Sequence, residues 1–554
     1  MSKRLLLPLL SWLMVAPAMA AVTVKANYKN GDKLSGDVTF EVQAESSNLI
    51  TSVEFYVGND LRDTDQSTPY EFKIDTLTEN DGPFQVTFAA YDNEGGSAKA
   101  VLNLQIDNGM SLGAEHHVEA AEDAINLSDF NKAIYHGRVA LKIEPENNGA
   151  RLALARANLG LGVYDLAQKY AEDIVASEPG HQGGLALLAG VNLRRAFTAL
   201  KVGTGDWDAT IGSVRDALKS AAGAQRTLNE NRINALDGNA DPLAYVDALI
   251  DARRYSLAIT QLQSKFNADP RDPALNNRYI YALIRAARWT DAAESLKKAK
   301  DQGGADAYTY ALDAIVRQVA GDQAGSEASE KEALFGGPNN LGVKSAQVWL
   351  ALRRNNTRAF GEIVRELREI GGPSVIADYY NIIALAMANQ PDASRDMWEL
   401  TILADPGSPE LLVQRAMQAY SYAYSVSGDM QTRQRGLAKA LAEAAIEARP
   451  ESFEALTLLA IIAMDAGNRE DAFRWARAAS QAAPQYGPAQ YVLAGALQMN
   501  GRSQEARAVM EGLGKMDRTM VGSPAPGGVA AFRYLYLSGR MPWLVAPGAA
   551  SVRG

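Results

Sequence analysis

The chain contains no cysteine among its 554 residues. That excludes disulfides, thiolate metal sites and a lipid-modified cysteine. Histidine is nearly as scarce, with only His116, His117, His136 and His181. His116 and His117 are adjacent, so on a helix they face different sides, and zinc-ligand spacing is absent. There is no P-loop and no dinucleotide fingerprint. No cofactor and no metal are therefore expected. Beyond residue 20 no stretch approaches the roughly 20 apolar residues of a membrane span, so the processed chain is expected to be soluble. Positive charge is in deficit, with 55 Lys and Arg against 65 Asp and Glu. Residues 21–108 alone hold 6 basic and 15 acidic side chains. This argues against nucleic acid as a partner, because phosphate binding needs a basic face. The plain reading is a solubilising acidic surface.

What is present begins with a processing segment, residues 1–20. Lys3 and Arg4 precede an apolar run from Leu5 to Val15, and Ala18-Met19-Ala20 supplies small residues at a cleavage site. This reads as a secretory signal peptide cut after Ala20, the alternative being an uncleaved anchor. The style of the signal suits a bacterium, with periplasm and secretion both open. A length of 554 residues exceeds one core, so two or more units are expected.

Residues 21–108 show a period of two. Short apolar or alternating runs stand at 22–24, 38–42, 53–57, 70–72, 84–88 and 102–104, separated by Gly, Asn and Asp clusters. Such spacing predicts a β-sandwich of immunoglobulin size. The stretches VEFYVGNDLRDTDQSTPYEFKIDT and GPFQVTFAAYDNEGGSA resemble bacterial Ig-like domains of exported and surface proteins. The resemblance implies a spacer or adhesion module. Asp60, Asp63 and Asp65 cluster near one hairpin, a calcium-like grouping without EF-hand spacing, or simply an acidic turn.

At Gly109–Gly113 the period changes from two to 3.6, which places a domain boundary there. Residues 109–520 then carry small residues in phase. Ala133 and Ala167 are 34 apart, as are Ala258 and Ala292, and Ala438, Ala472 and Ala506. Phe130 and Tyr164, and Pro145 and Pro179, keep the same offset. The ladder is continued through Ser326, Ala359 and Ala393. The interval 203–242 and the interval 425–436 interrupt it, as longer helices or loops. A 34-residue helix-turn-helix period predicts a mainly α fold, a solenoid of about eleven hairpins. YDLAQKYAEDIVASEP and REDAFRWARAASQAAP resemble the tetratricopeptide repeat (TPR). Sel1-type repeats and an aperiodic bundle are the alternatives.

The TPR resemblance implies a concave face of first helices that docks an extended peptide. It puts Arg156, Arg194, Asn277, Tyr281 and Arg285 on that face, with Arg278 beside them. Three arginines there imply an acidic or mixed peptide. Residues 521–554 read as a linker, VGSPAPGGV, followed by a tail too apolar for exposure, with Phe532, Tyr534, Tyr536 and Trp543. It is expected to cap the last hairpin, or else to dock a partner. Gly109-Met110-Ser111-Leu112-Gly113 matches G-x-S-x-G, but without an α/β core it reads as a linker. The functional expectation is therefore an exported scaffold that binds a protein. A cell-envelope component contacting glycan through the Ig-like domain is the second reading, and a hydrolase using Ser111 is the third.

Overall fold

The computed structural model describes residues 21–202, 206–237, 242–372, 374–405 and 407–550. The expected signal segment lies outside the described residues. Two compact units divide the chain, residues 1–179 and 180–554.

The first unit opens with eight strands: β1 (Thr23–Ala26), β2 (Lys33–Leu34), β3 (Asp37–Glu45), β4 (Ile50–Val57), β5 (Asp60–Asp65), β6 (Tyr70–Asp75), β7 (Gly82–Asp92) and β8 (Ser97–Ile106). They form two sheets, ordered β1-β3-β6 and β2-β8-β7-β4-β5. The period of two puts one side of each strand inward. Phe40 and Phe72 of one sheet meet Phe55 and Phe88 of the other, with Phe55 and Phe88 stacked at 5.3 Å. All four rings are buried. The unit continues into two helix pairs, and the junction is well tied. Asn108, buried, accepts from Gly36 N and Thr76 Oγ1 through its Oδ1. Asp81 accepts from Asn108 N and Met110 N. From the second helix, Phe130–Ile143, Arg138 pairs with Asp75 and Lys142 donates to Leu77 O at 2.9 Å.

Among the described residues there are twenty-two paired helices, eleven pairs, followed by the helix Gly528–Ser538. One turn shows how the sequence makes a pair. The helix Phe453–Asp465 is closed by Gly467, whose φ of 72° is open to glycine without strain. Asn468 then caps the helix Arg469–Ala482 by accepting from Asp471 N at 3.1 Å. Positive φ recurs at this place in the repeat, at Ser128 and Gly162, at Arg253, Ala287, Gly321, Asn355 and Asn389, and at Gly467 and Gly501. Within each run the spacing is 34 residues.

The ladder residues face the partner helix of their own pair. Ala133, Ala167, Ala258, Ala292, Ala438, Ala472 and Ser326 are fully enclosed. At two places the ladder needs correction by one residue. Ala359 is only half-buried and Ala393 is exposed, while Phe360 and Ser394 are buried, each a multiple of 34 after Ser326. The serines fit there because each hydroxyl donates back across the turn, Ser326 to Ala314 O and Ser394 to Ile382 O. Ala472→Asp should cost about 2–4 kcal/mol, from overpacking plus an unpartnered buried carboxylate. A lowered thermal transition confined to the C-terminal pairs checks it.

Where the period lapses, the helices are long. Trp207–Leu236 has 30 residues and Gly428–Ala448 has 21. In the second unit these two pack against each other. Arg226 bonds Glu447 across them, and Lys201 pairs with Asp396 and Glu399 nearby. The second unit thus curls until its first pair meets the pair at 409–448, enclosing a lumen lined by first helices.

Candidate functional site

The lumen of the second unit holds the chain's own C-terminal segment. After the helix Gly528–Ser538 the chain leaves regular structure and runs through the lumen from Gly539 to Val545. Six of the seven carbonyls in that run accept from lumen side chains. Tyr486 Oη donates to Gly539 O, Trp349 Nε1 to Arg540 O, and Arg285 Nη1 to Pro542 O. Tyr380 Oη donates to Trp543 O, Tyr281 Oη to Leu544 O, and Tyr308 Oη to Val545 O. Two backbone N–H groups donate in return, Met541 to Glu454 Oε1 and Val545 to Ser345 Oγ. Met541, Trp543 and Leu544 are buried. The donors come from first helices or their caps, in the pairs between residues 273 and 499.

Beneath the strap lies a charged network. Glu410, whose side chain is 5% exposed, pairs with both Arg285, 1% exposed, and Arg253, 12% exposed. Arg253 also reaches Asp405 at 2.6 Å, and Ser408 Oγ donates to Glu410. Arg253 lies 5.9 Å from the Trp543 ring, and Trp543 meets Tyr379 edge-on at 5.0 Å. Burial pushes the Glu410 carboxyl up, but the Arg253 and Arg285 charges outweigh it and hold it at about 2. Glu454 goes the other way. Burial raises it to about 7, with the Glu410 charge adding and Arg285 opposing.

The six residues expected on the groove are spread over both units. Arg156, in the first unit, pairs with Glu122. The other five are in the second. Tyr281 and Arg285 bind the strap directly. Arg278 forks onto Asp247 with two bonds of 2.7 Å. Asn277 bridges Asp306 and Thr309 on the next pair. Arg194 is half-buried, with its Nε unpartnered. Glu410, Arg253, Glu454, Tyr308 and Tyr380 were not anticipated. Tyr308 and Tyr380 had one sequence signal, the recurrence of tyrosine on first helices, and nothing local marks Glu410 as the partner of a residue 125 positions away.

The remaining candidates lie in the first unit. Ser111 is exposed on a 3-10 turn, Met110–Leu112, and makes no bond to a histidine or carboxylate among the described residues. Asp63 and Asp65 are spent on local turns, accepting from Thr64 N and from Ser67 and Glu71 N. Among the described residues no three His, Asp or Glu side chains converge as a metal site. His117 and His136, on successive helices, do meet, Nδ1 to Nδ1 at 3.0 Å, while His117 Nε2 contacts Gly109 O. The sandwich itself is the family signature. Residues 23–99 match the bacterial Ig domain family. No curated protein matches the chain. Among solved structures, yeast Tom70 aligns at 13% identity over 76% of this chain and 95% of its own, with a TM-score of 0.33. Cut9-Hcn1, a hetero-tetramer of the APC/C, aligns at 13% over 73% and 87%, with 0.37. A fibronectin(III)-like module of Clostridium thermocellum CbhA aligns with 15% of this chain and 94% of its own at 22% identity, with 0.14. These superpositions are distant, and the 34-residue turns and paired helices are what make the array after the Ig domain a TPR-like solenoid.

Glu454 offers a pH test of the strap contact. A carboxyl raised in the folded state binds a proton more tightly there than in the unfolded chain, so stability falls as pH rises from the ordinary glutamate value to about 7. Gln at this position can still accept from Met541 N and carries no charge. Glu454→Gln should therefore match the native protein at pH 4 and exceed it at pH 8 by on the order of 1–3 kcal/mol. Urea midpoints at the two pH values check this.

Proposed function

We propose that this chain is an exported bacterial scaffold that binds an extended segment of a protein partner in the lumen of its solenoid. The observation that carries the reading is the strap. Lumen side chains hold it through six carbonyls, groups that every peptide owns, so the lumen chemistry suits an extended peptide. Backbone readout gives affinity, and the buried Trp543 and Leu544 positions give side-chain selectivity. In this reading Tyr281 and Arg285 grip peptide backbone, and Arg278 and Asn277 brace the first helices. Arg194, outside the strap's contacts, adds a contact to the partner in the lumen, and Arg156 offers one on the first unit's own first helices. The signal-like residues 1–20 and the bacterial Ig domain support export, with the Ig domain as spacer at the envelope. The reading assigns no catalytic group.

A pull-down from envelope extract tests it, with a synthetic peptide of residues 539–548 as competitor. The peptide should release a captured protein. Retention of polysaccharide instead, unmoved by the peptide, would favour the glycan-contacting alternative and reject the lumen as the binding surface.

A further inference from the structure

Beside the strap lies a cavity of about 450 Å³, between the turn before Trp289, the helix Leu341–Arg353 and the C-terminal pairs. That volume is within the range of small-molecule sites. Its walls carry the rings of Trp289, Trp349 and Tyr534. Its charges do not balance. Arg353, half-buried, donates one bond, to Leu537 O, and feels the Asp517 charge without a direct ion pair among the described residues. Arg540 lies over the Tyr536 ring at 4.8 Å, and its Nε is buried without a partner. Lys515, exposed, also lines the cavity and has no ion pair among the described residues. Asp517 is the one acid of the lining, and it already accepts from Tyr534 Oη at 2.6 Å and from Thr519.

Arg253, Arg278 and Arg285 each hold a carboxylate of the chain. The Arg540 Nε is buried without an acceptor, which is costly, and an incoming carboxylate that bonds it recovers that cost. Burial pulls Arg353 below its usual range, with the Asp517 charge opposing. Arginine forks match a carboxylate in plane, and indole and phenol faces match a flat ring.

We propose that this cavity binds a small organic anion, a carboxylate carried on a six-membered ring. Arg353 and Arg540 take the carboxylate, and Trp289, Trp349 and Tyr534 take the ring. The shared chemistry covers two sources, a sugar acid and an aromatic acid, and it is independent of the peptide reading above.

Calorimetry on the full chain decides it, with glucuronate and benzoate as probes and glucose and benzamide as their neutral counterparts. At least one anion should bind at millimolar concentration while its counterpart does not, and which one separates the two sources. Arg353→Gln with Arg540→Gln should weaken that anion by roughly tenfold or more, the scale of a lost charge-assisted bond. Arg353→Lys should keep much of the affinity, and Arg502→Gln, at an exposed pair with Glu505, should change nothing. The single Arg353→Lys variant and the neutral counterparts keep the test decisive if the double variant does not fold. Equal binding of a neutral counterpart, an anion indifferent to the arginines, or no heat from either anion would overturn the proposal.

Discussion

Replacing Glu410 with alanine should destabilise the second unit by about 3–5 kcal/mol, the cost of leaving buried cations without their anion. Glu410 is the single carboxylate shared by Arg285 and Arg253, and both guanidiniums are nearly sealed from water. Arg253 keeps Asp405, but Arg285 is left with Tyr255 Oη and Pro542 O, neither of which is charged. The effect therefore exceeds that of removing any exposed pair, which is worth a fraction of a kcal/mol. The pH profile carries the same signature. A carboxyl held at about 2 contributes stability that is complete above the ordinary glutamate value and lost as pH falls toward 2. The native protein should lose this increment between pH 4.5 and about 2, and Glu410→Ala should show no such loss. Urea midpoints across that range check both the magnitude and the direction. A Glu410→Ala midpoint equal to that of the native protein at pH 7 would mean that Arg285 finds another anion.

The helical repeat was legible in the sequence because it is a local property. Small residues at 34-residue spacing fix where two helices touch, and Gly162, Gly321, Gly467 and Gly501 mark the turns where the backbone needs positive φ. The ladder slipped at Ala359 and Ala393 because alanine is a good helix former anywhere, while the buried slot was taken by Phe360 and by a serine bonded to its own pair. Strands are legible from their alternation, but β5 is not, since DLRDTD is nearly all polar and pairs as an exposed edge. The two irregular intervals were visible as lapses of period. That they are long helices packing on each other, one mostly before residue 237 and the other after 427, was not, because nothing local couples them. The groove residues show the same divide. Placing Tyr281 and Arg285 on the inner face needed only the repeat register. Finding that the face is occupied required knowing where a tail more than 250 residues later runs, and that tail announced only that it was too apolar to be exposed.

Trp543→Ala should cost the second unit about 3–5 kcal/mol, the usual range for removing a buried aromatic side chain. Trp543 is 6% exposed, stands edge-on to Tyr379, and lies against the Arg253 guanidinium. Its removal opens a space between the strap and two parts of the curl that the sequence keeps far apart, Arg253 early and Tyr379 later. A cavity there is hard to collapse, because the backbone on both sides of Trp543 is pinned, Pro542 O by Arg285 and Leu544 O by Tyr281. The loss should spread beyond the strap. The strap joins first helices from Pro273–Arg285 through Phe453–Asp465, so loosening it weakens the contact that closes the curl, the pairing of Trp207–Leu236 with Gly428–Ala448. Hydrogen exchange should show those two long helices losing protection together in Trp543→Ala, while the Ig domain of the first unit is unchanged. Trp543→Phe, which keeps a ring beside Tyr379, should lie between the two. Loss of protection confined to residues 539–548 would show instead that the curl closes without the strap.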